Sequence, residues 1–169
     1  MKKVILMTLL VVCIISCKKH KCDPTACDIQ QTYNENATKI TISNGIWGTV
    51  SSMEGDCMPG MPPSSLSCTH CPAKRTVKIY GYTLLSQAIP FANSPVFFDS
   101  FSTNLIAQVN ADDDGFFQLN IPNGHYTIVV VENGKLYASG SDGQGGINPI
   151  IFSGGLQNVN QIMTYKAAF

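Results

Sequence analysis

The sequence predicts an all-β protein, an antiparallel sandwich, on three observations. Turn-forming clusters recur about every 8 to 15 residues, among them Asn44-Gly45, Pro122-Asn123-Gly124 and Asn133-Gly134. Between them lie short stretches rich in Val, Ile, Phe, Tyr and Thr, several of which alternate apolar with polar residues. The composition, with fourteen Gly, nine Pro, eight Phe and six Tyr, favours strands and turns over helices. At 169 residues, 44% of them hydrophobic, the chain can bury one sizeable core but not two.

Residues 1–16 read as a signal peptide: Lys2 and Lys3, an apolar run over 4–15, then Ser16. A membrane-spanning helix needs about 20 apolar residues, so the run is too short to span. Residues 17–37 are polar and without period, as expected of a disordered tether, and order is expected from about Thr38. The body, 38–169, opens with strands over 39–43 and 46–52 around Asn44-Gly45. A Cys-, Pro- and Met-rich insertion follows over 54–74. Residues 75–83 alternate, with Val77 and Ile79 on one face and Lys78, Tyr80 and Tyr82 on the other. Strands are expected over 96–98, 105–110 and 116–121, the last two joined by the acidic turn Asp112-Asp113-Asp114-Gly115 as a hairpin. In 126–132, Tyr126, Ile128 and Val130 share a face, and Asn133-Gly134 turns the chain into Leu136 and Tyr137. Residues 147–152 and 159–165 supply the final strands.

Eleven basic residues balance eleven acidic ones, and only 13% of residues are charged, against roughly 25% in an average protein. Neither a nucleic-acid binder nor an acidic disordered tail has this balance. Ile14-Ile15-Ser16-Cys17 resembles the lipobox of bacterial lipoproteins, which implies that Cys17 is diacylated and becomes the first mature residue. Acyl chains bury at about 0.8 kcal/mol per CH2, so two or three of them hold a soluble domain on a membrane. Loss of 1–16 leaves nine basic and eleven acidic side chains, a net charge near −2. Lys18 stands where an Asp signals inner-membrane retention, so the resemblance implies the outer membrane, on a periplasmic or surface face the sequence does not specify.

Three segments carry a second resemblance: Gly48-Thr49-Val50, then residues 110–117 around the acidic turn, then 121–128 with Ile121-Pro122 and Gly124-His125-Tyr126. Together they resemble the carboxypeptidase regulatory-like domain over about residues 45–165. That family implies a transthyretin-like, seven-stranded Greek-key sandwich, non-catalytic, serving as an accessory module. It brings no catalytic residues with it, and the insertion at 54–74 departs from its pattern.

The insertion contains Cys57 and Cys68-Thr69-His70-Cys71. About twenty residues is long for a structureless loop, so something must hold it. In an exported protein the default is a disulfide, and closing a loop of this size contributes about 3 kcal/mol in the chain-entropy model. Cys22, Cys27, Cys57, Cys68 and Cys71 are five, which leaves one over and allows fifteen arrangements. The favoured one pairs Cys22 with Cys27, and Cys57 with Cys68 or Cys71. The alternative is a zinc or copper(I) site with Cys57, Cys68 and Cys71 as thiolates and His70, His20 or a Met as fourth ligand. No cofactor is otherwise expected. Asp112, Asp113 and Asp114 read as a solvated turn rather than a calcium site, and 142–146 as a flexible glycine-rich loop. No nucleophile elbow or H-E-x-x-H frame is present, so no enzyme activity is expected. Trp47, Tyr80 and Tyr82 are candidates for stacking on a glycan. The partners expected are thus the membrane, envelope proteins or glycans.

Overall fold

Alternating inward side chains close two sheets on each other. The computed structural model describes residues 27–58 and 68–169. Within them one helix, α1 (Ile29–Ala37), precedes twelve strands: β1 (Gly45–Asp56), β2 (Thr69–Pro72), β3 (Thr76–Gly81), β4 (Ala88–Pro90), β5 (Phe97–Phe101), β6 (Leu105–Asn110), β7 (Phe116–Leu119), β8 (Gly124–Glu132), β9 (Lys135–Tyr137), β10 (Pro149–Phe152), β11 (Leu156–Asn158) and β12 (Gln161–Ala168). β1 is the axis of the first sheet. Along one side it pairs antiparallel with β7 at residues 46–49 and with β2 at 51–54. Along the other it pairs in parallel with β11 at 45–47 and with β12 at 50–56. The second sheet runs β4-β5-β9-β8-β3-β6, all antiparallel, with β10 added to β8 at residues 124–127.

The fold is therefore the all-β sandwich the sequence predicts, with five strands in one sheet and seven in the other. The count of seven strands in total is corrected. Long β1 and β8 each share an edge between two short strands, and β2, β4 and β11 are too short to alternate visibly. The acidic turn is corrected as well. It does not join a hairpin, because β6 lies in the second sheet and β7 pairs with β1 in the first. Residues 111–115 form a corner between the sheets. Gly115 closes it at φ +73°, and a Cβ there would lie 2.2 Å from the Val50 carbonyl oxygen. The Asn133-Gly134 hairpin is as expected, with both residues at positive φ as a type I′ turn requires.

The core between the sheets is Ile46 and Val50 of β1, Val77 and Ile79 of β3, Phe117, Ile128, Val130, Phe152 and Met163, each 1% exposed or less. A second cluster of Phe98, Val129, Leu136, Ala138 and Ile147 covers the opposite face of the second sheet. That is why β8 is buried on both faces. At one end of the core sits a charge: Glu132 is 3% exposed. Its carboxylate accepts a short bond from Arg75 Nε and one of 2.7 Å from the Tyr165 hydroxyl. Burial pushes this carboxyl up, but the bonds from Arg75 and Tyr165 outweigh it and hold the group below its ordinary value of 4.5.

Order does not begin at Thr38, as the sequence reading expected. Residues 29–37 are helical, started by Asp28, whose side chain accepts from the Gln31 backbone at 2.9 Å, and stopped at Thr38. Residues 39–43, expected as a strand, connect α1 to β1 without pairing.

Candidate functional site

Two regions at different places on the sandwich hold the side chains singled out above. The first is the junction of the N-terminal segment with the first sheet. On β1, even-numbered residues 46 and 50 face the core, which turns Thr49 and Ser51 to the outer face, yet both are wholly buried. α1 covers them. Asn36, itself 0% exposed, donates from Nδ2 to Thr49 Oγ1 and to the Asp114 carbonyl, each at 2.9 Å. Its Oδ1 and the Tyr33 hydroxyl are buried and meet no hydrogen-bond partner among the described residues. The cover is fastened at its start by a disulfide between Cys27 and Cys71. A second disulfide joins Cys57 to Cys68 and closes the extension in which β1 and β2 continue as a pair.

This pairing corrects the expected Cys22–Cys27 bridge: Cys27 is spent on Cys71, and Cys22 lies outside the described residues with Cys17, His20 and the leader. Cys57 does pair with one of its two expected partners. The metal reading of Cys57, Cys68 and Cys71 is corrected too. All three sulfurs are in disulfides, and a disulfide sulfur lacks the thiolate charge that zinc or Cu(I) requires. His70 Nε2 instead lies 2.9 Å from Ser51 Oγ, with the Tyr33 ring edge-on to it. Burial pushes its imidazole below 6.5. A Ser–His contact is the start of a nucleophile, but Ser51 has no exposed surface, so no substrate reaches it. The insertion 54–74 is thus partly strand rather than loop: β1 runs on through Asp56 and β2 occupies 69–72.

The aspartates of the corner are exposed, as the expected solvated turn requires, and each is paired with a lysine. Lys39 Nζ bridges Asp112 at 2.9 Å and Asp114 at 2.8 Å, and Lys74 pairs with Asp113 at 2.9 Å. They fix the corner beneath α1.

The second region lies past the far end of β3, a strand about 20 Å long at roughly 3.3 Å per residue. Tyr82, just past β3, stacks on His125 of β8 with ring centroids 3.9 Å apart and planes 18° from parallel. Its hydroxyl donates to Asp142 Oδ2 at 2.6 Å, while Asp142 Oδ1 accepts from the backbone of Gln144 at 2.8 Å and of Gly146 at 2.9 Å. These three bonds, the Tyr82 one first, hold the Asp142 carboxyl below its ordinary value, and the same bond raises the Tyr82 phenol. The loop 142–146, expected to be flexible, is folded around this carboxylate. Beside it a shallow groove of about 490 Å³ is lined by His125, Asp142, Gln144, Ile151 and Gln157, with Pro149 and Ile150.

The expected stacking set is taken apart. Trp47 is on β1 in the first sheet, whereas Tyr80 is on β3 in the second, set against Phe101 at 5.1 Å within the second cluster. Of the three, only Tyr82 reaches the groove's neighbourhood. His125 is exposed at the start of β8, and nothing local in the sequence announces its ring partner Tyr82, 43 residues earlier.

Compared with known proteins, the chain matches no family model, no curated protein and no solved structure.

Proposed function

We propose that this chain is a lipid-anchored module of the cell envelope, non-catalytic, that serves by binding or by structural support. The observation that carries the reading is the pair of disulfides, Cys27–Cys71 and Cys57–Cys68. Bonds of this kind persist in oxidising compartments, which is where a chain with this leader and lipobox is delivered. The resemblance to the carboxypeptidase regulatory-like domain agrees with the two-sheet body and adds the expectation of an accessory role.

Anchoring has a geometric consequence. Cys27, where the fold is first fastened, follows Cys17 by ten residues. Even at full extension such a segment spans no more than about 36 Å. Acylation at Cys17 thus holds the body against the membrane on a leash shorter than the 17–37 tether read from the sequence. Lys18, where an Asp signals inner-membrane retention among lipoproteins, favours the outer membrane for the anchor.

The test is metabolic labelling with radioactive palmitate in a bacterial host. The wild-type chain is expected to take up label and sediment with membranes, and Cys17→Ala to lose the label and appear in the soluble exported fraction. A wild-type chain that incorporates no label overturns the reading.

A further inference from the structure

We infer that the groove beside the Tyr82–His125 stack is a binding site for a neutral saccharide. The inference goes beyond anchoring and depends on that reading only for its orientation, at the end of β3 away from the leash.

The chemistry of the lining selects the ligand. His125, not Tyr82, lines the groove, so Tyr82 backs one face of the imidazole and braces it through its bond to Asp142. A ring held in this way presents a rigid flat surface at little entropic cost, which suits the C–H face of a pyranose. Ile151, the strand neighbour of His125, is 66% exposed and extends that surface. The side-chain amides of Gln144 and Gln157 border the groove and make no hydrogen bond among the described residues. Each offers two donors and an acceptor, which matches adjacent hydroxyl groups.

Charge excludes other ligands. Lys and Arg are absent from the lining, so a phosphate or carboxylate would be desolvated without a cation to meet it. The one anion, Asp142, already accepts three hydrogen bonds and does not attract a cationic group strongly. An extended peptide would need a row of free strand edge. Of the strands that border the groove, β8 is paired with β10 over 124–127, and β10 and β11 are only four and three residues long. The volume, about 490 Å³, falls inside the range of roughly 300–1,000 Å³ usual for small-molecule sites.

The experiment uses the full chain in detergent micelles and saturation-transfer NMR with maltotetraose, cellotetraose and tetra-N-acetylchitotetraose, with tetraalanine as the peptide control. At least one saccharide is expected to bind saturably below about 10 mM, since a Kd near 1 mM is visible at such concentrations. His125→Ala is expected to weaken that binding at least about tenfold, through loss of the stacking surface. Gln144→Ala, on an exposed loop and without a structural bond from its side chain, is expected to weaken it while leaving the circular dichroism unchanged. Trp47→Phe and Tyr80→Phe are expected to bind as wild type. The inference is overturned if no saccharide binds, if tetraalanine binds in their place, or if both groove variants bind like wild type. The same titrations on Cys17→Ala keep the two readings apart: failure of palmitate labelling removes the anchor and leaves the groove, while failure of binding in labelled protein removes the groove alone.

Discussion

Replacing Cys27 and Cys71 together by Ser removes the bond that fastens α1 to β2, and both must change so that neither is left to exchange with Cys22. In the chain-entropy model the loss grows with the logarithm of the loop that the bridge closes. The Cys27–Cys71 bridge has a sequence separation of 44 and the Cys57–Cys68 bridge one of 11. The corresponding losses are about 4 and about 3 kcal/mol. The larger figure is an upper bound if α1 comes loose in the folded state, because the variant then regains entropy in both states. Urea unfolding monitored by circular dichroism gives the two free energies, and hydrogen exchange gives the local picture. In the Cys27→Ser, Cys71→Ser variant, amides of residues 32–37 are expected to exchange far faster than those of β3 and β8, while the amides of β3 and β8 keep their order of protection. In the Cys57→Ser, Cys68→Ser variant the helix should keep its protection. The reasoning is refuted if the two double variants lose protection in the same places, or if removal of the Cys27–Cys71 bridge changes neither stability nor the exchange of α1.

Two further perturbations test the body of the sandwich. Arg75→Ala leaves Glu132 buried with hydrogen bonds from Tyr165 and Asn133 alone among the described residues and the charge of Lys166 farther off, and a cost of about 3 kcal/mol is expected, the low end of the range for breaking a buried pair because Arg75 is itself 38% exposed. Glu132→Gln, which deletes the charge and keeps the shape, is expected to cost less, about 1 kcal/mol. The pH dependence supplies the sign. Because the folded carboxyl lies below 4.5, wild type carries this contribution above 4.5 and loses it as pH falls through the folded value. In Arg75→Ala burial dominates, the folded value lies above the unfolded one, and the deficit should grow as pH rises from about 4 to about 7; urea midpoints across that range that run parallel to wild type would contradict this. Gly115→Ala and Gly134→Ala share a positive φ but not their surroundings. A Cβ at 115 meets the Val50 carbonyl at 2.2 Å and one at 134 meets nothing within 4 Å, so Gly134→Ala is expected to cost about 1 kcal/mol and Gly115→Ala about 3 or more. Equal urea midpoints for the two would remove the corner's close approach as the cause.

Alternation revealed individual strands and was silent about their neighbours. Val77 and Ile79 were readable as an inward pair because β3 sits in mid-sheet with one face on the core. The Val-rich run of β8 showed one inward face, Tyr126, Ile128 and Val130. That its other face is also covered depends on Phe98 and Ile147, which arrive from separate parts of the chain. Strand partnership is non-local, so the sequence did not reveal that β1 takes β12 as a parallel neighbour about 110 residues later, or that the aspartate corner changes sheets. The helix was hidden for a different reason. Ile29, Tyr33 and Ala37 recur at four-residue spacing, but the residue α1 buries most deeply is Asn36, so no apolar stripe forms. Asp28 as an N-cap was the one local signal. At the groove, Tyr82 was singled out, but with Tyr80 on the same outward face. The geometry that gives it a role comes from His125 and Asp142, and each lies more than forty residues away.

The way α1 is attached explains why the junction depends on its compartment and the sandwich does not. A helix docked by an apolar stripe keeps its place in any redox environment, since the hydrophobic effect needs no oxidant. α1 has no such stripe: besides the edge-on contact of Tyr33 with His70, it meets the sheet through the bonds of Asn36 to Thr49 and to the Asp114 carbonyl, each worth about 1 kcal/mol net, and a nine-residue helix is too short to persist alone. The covalent bond at Cys27 therefore supplies what the packing does not. None of the described cysteines, Cys27, Cys57, Cys68 and Cys71, belongs to the core of Ile46, Ile79, Phe117 and Ile128. Reduction should accordingly free the N-terminal segment and uncover Thr49 and Ser51 while the two sheets remain closed. The fastening is thus complete only where disulfides form.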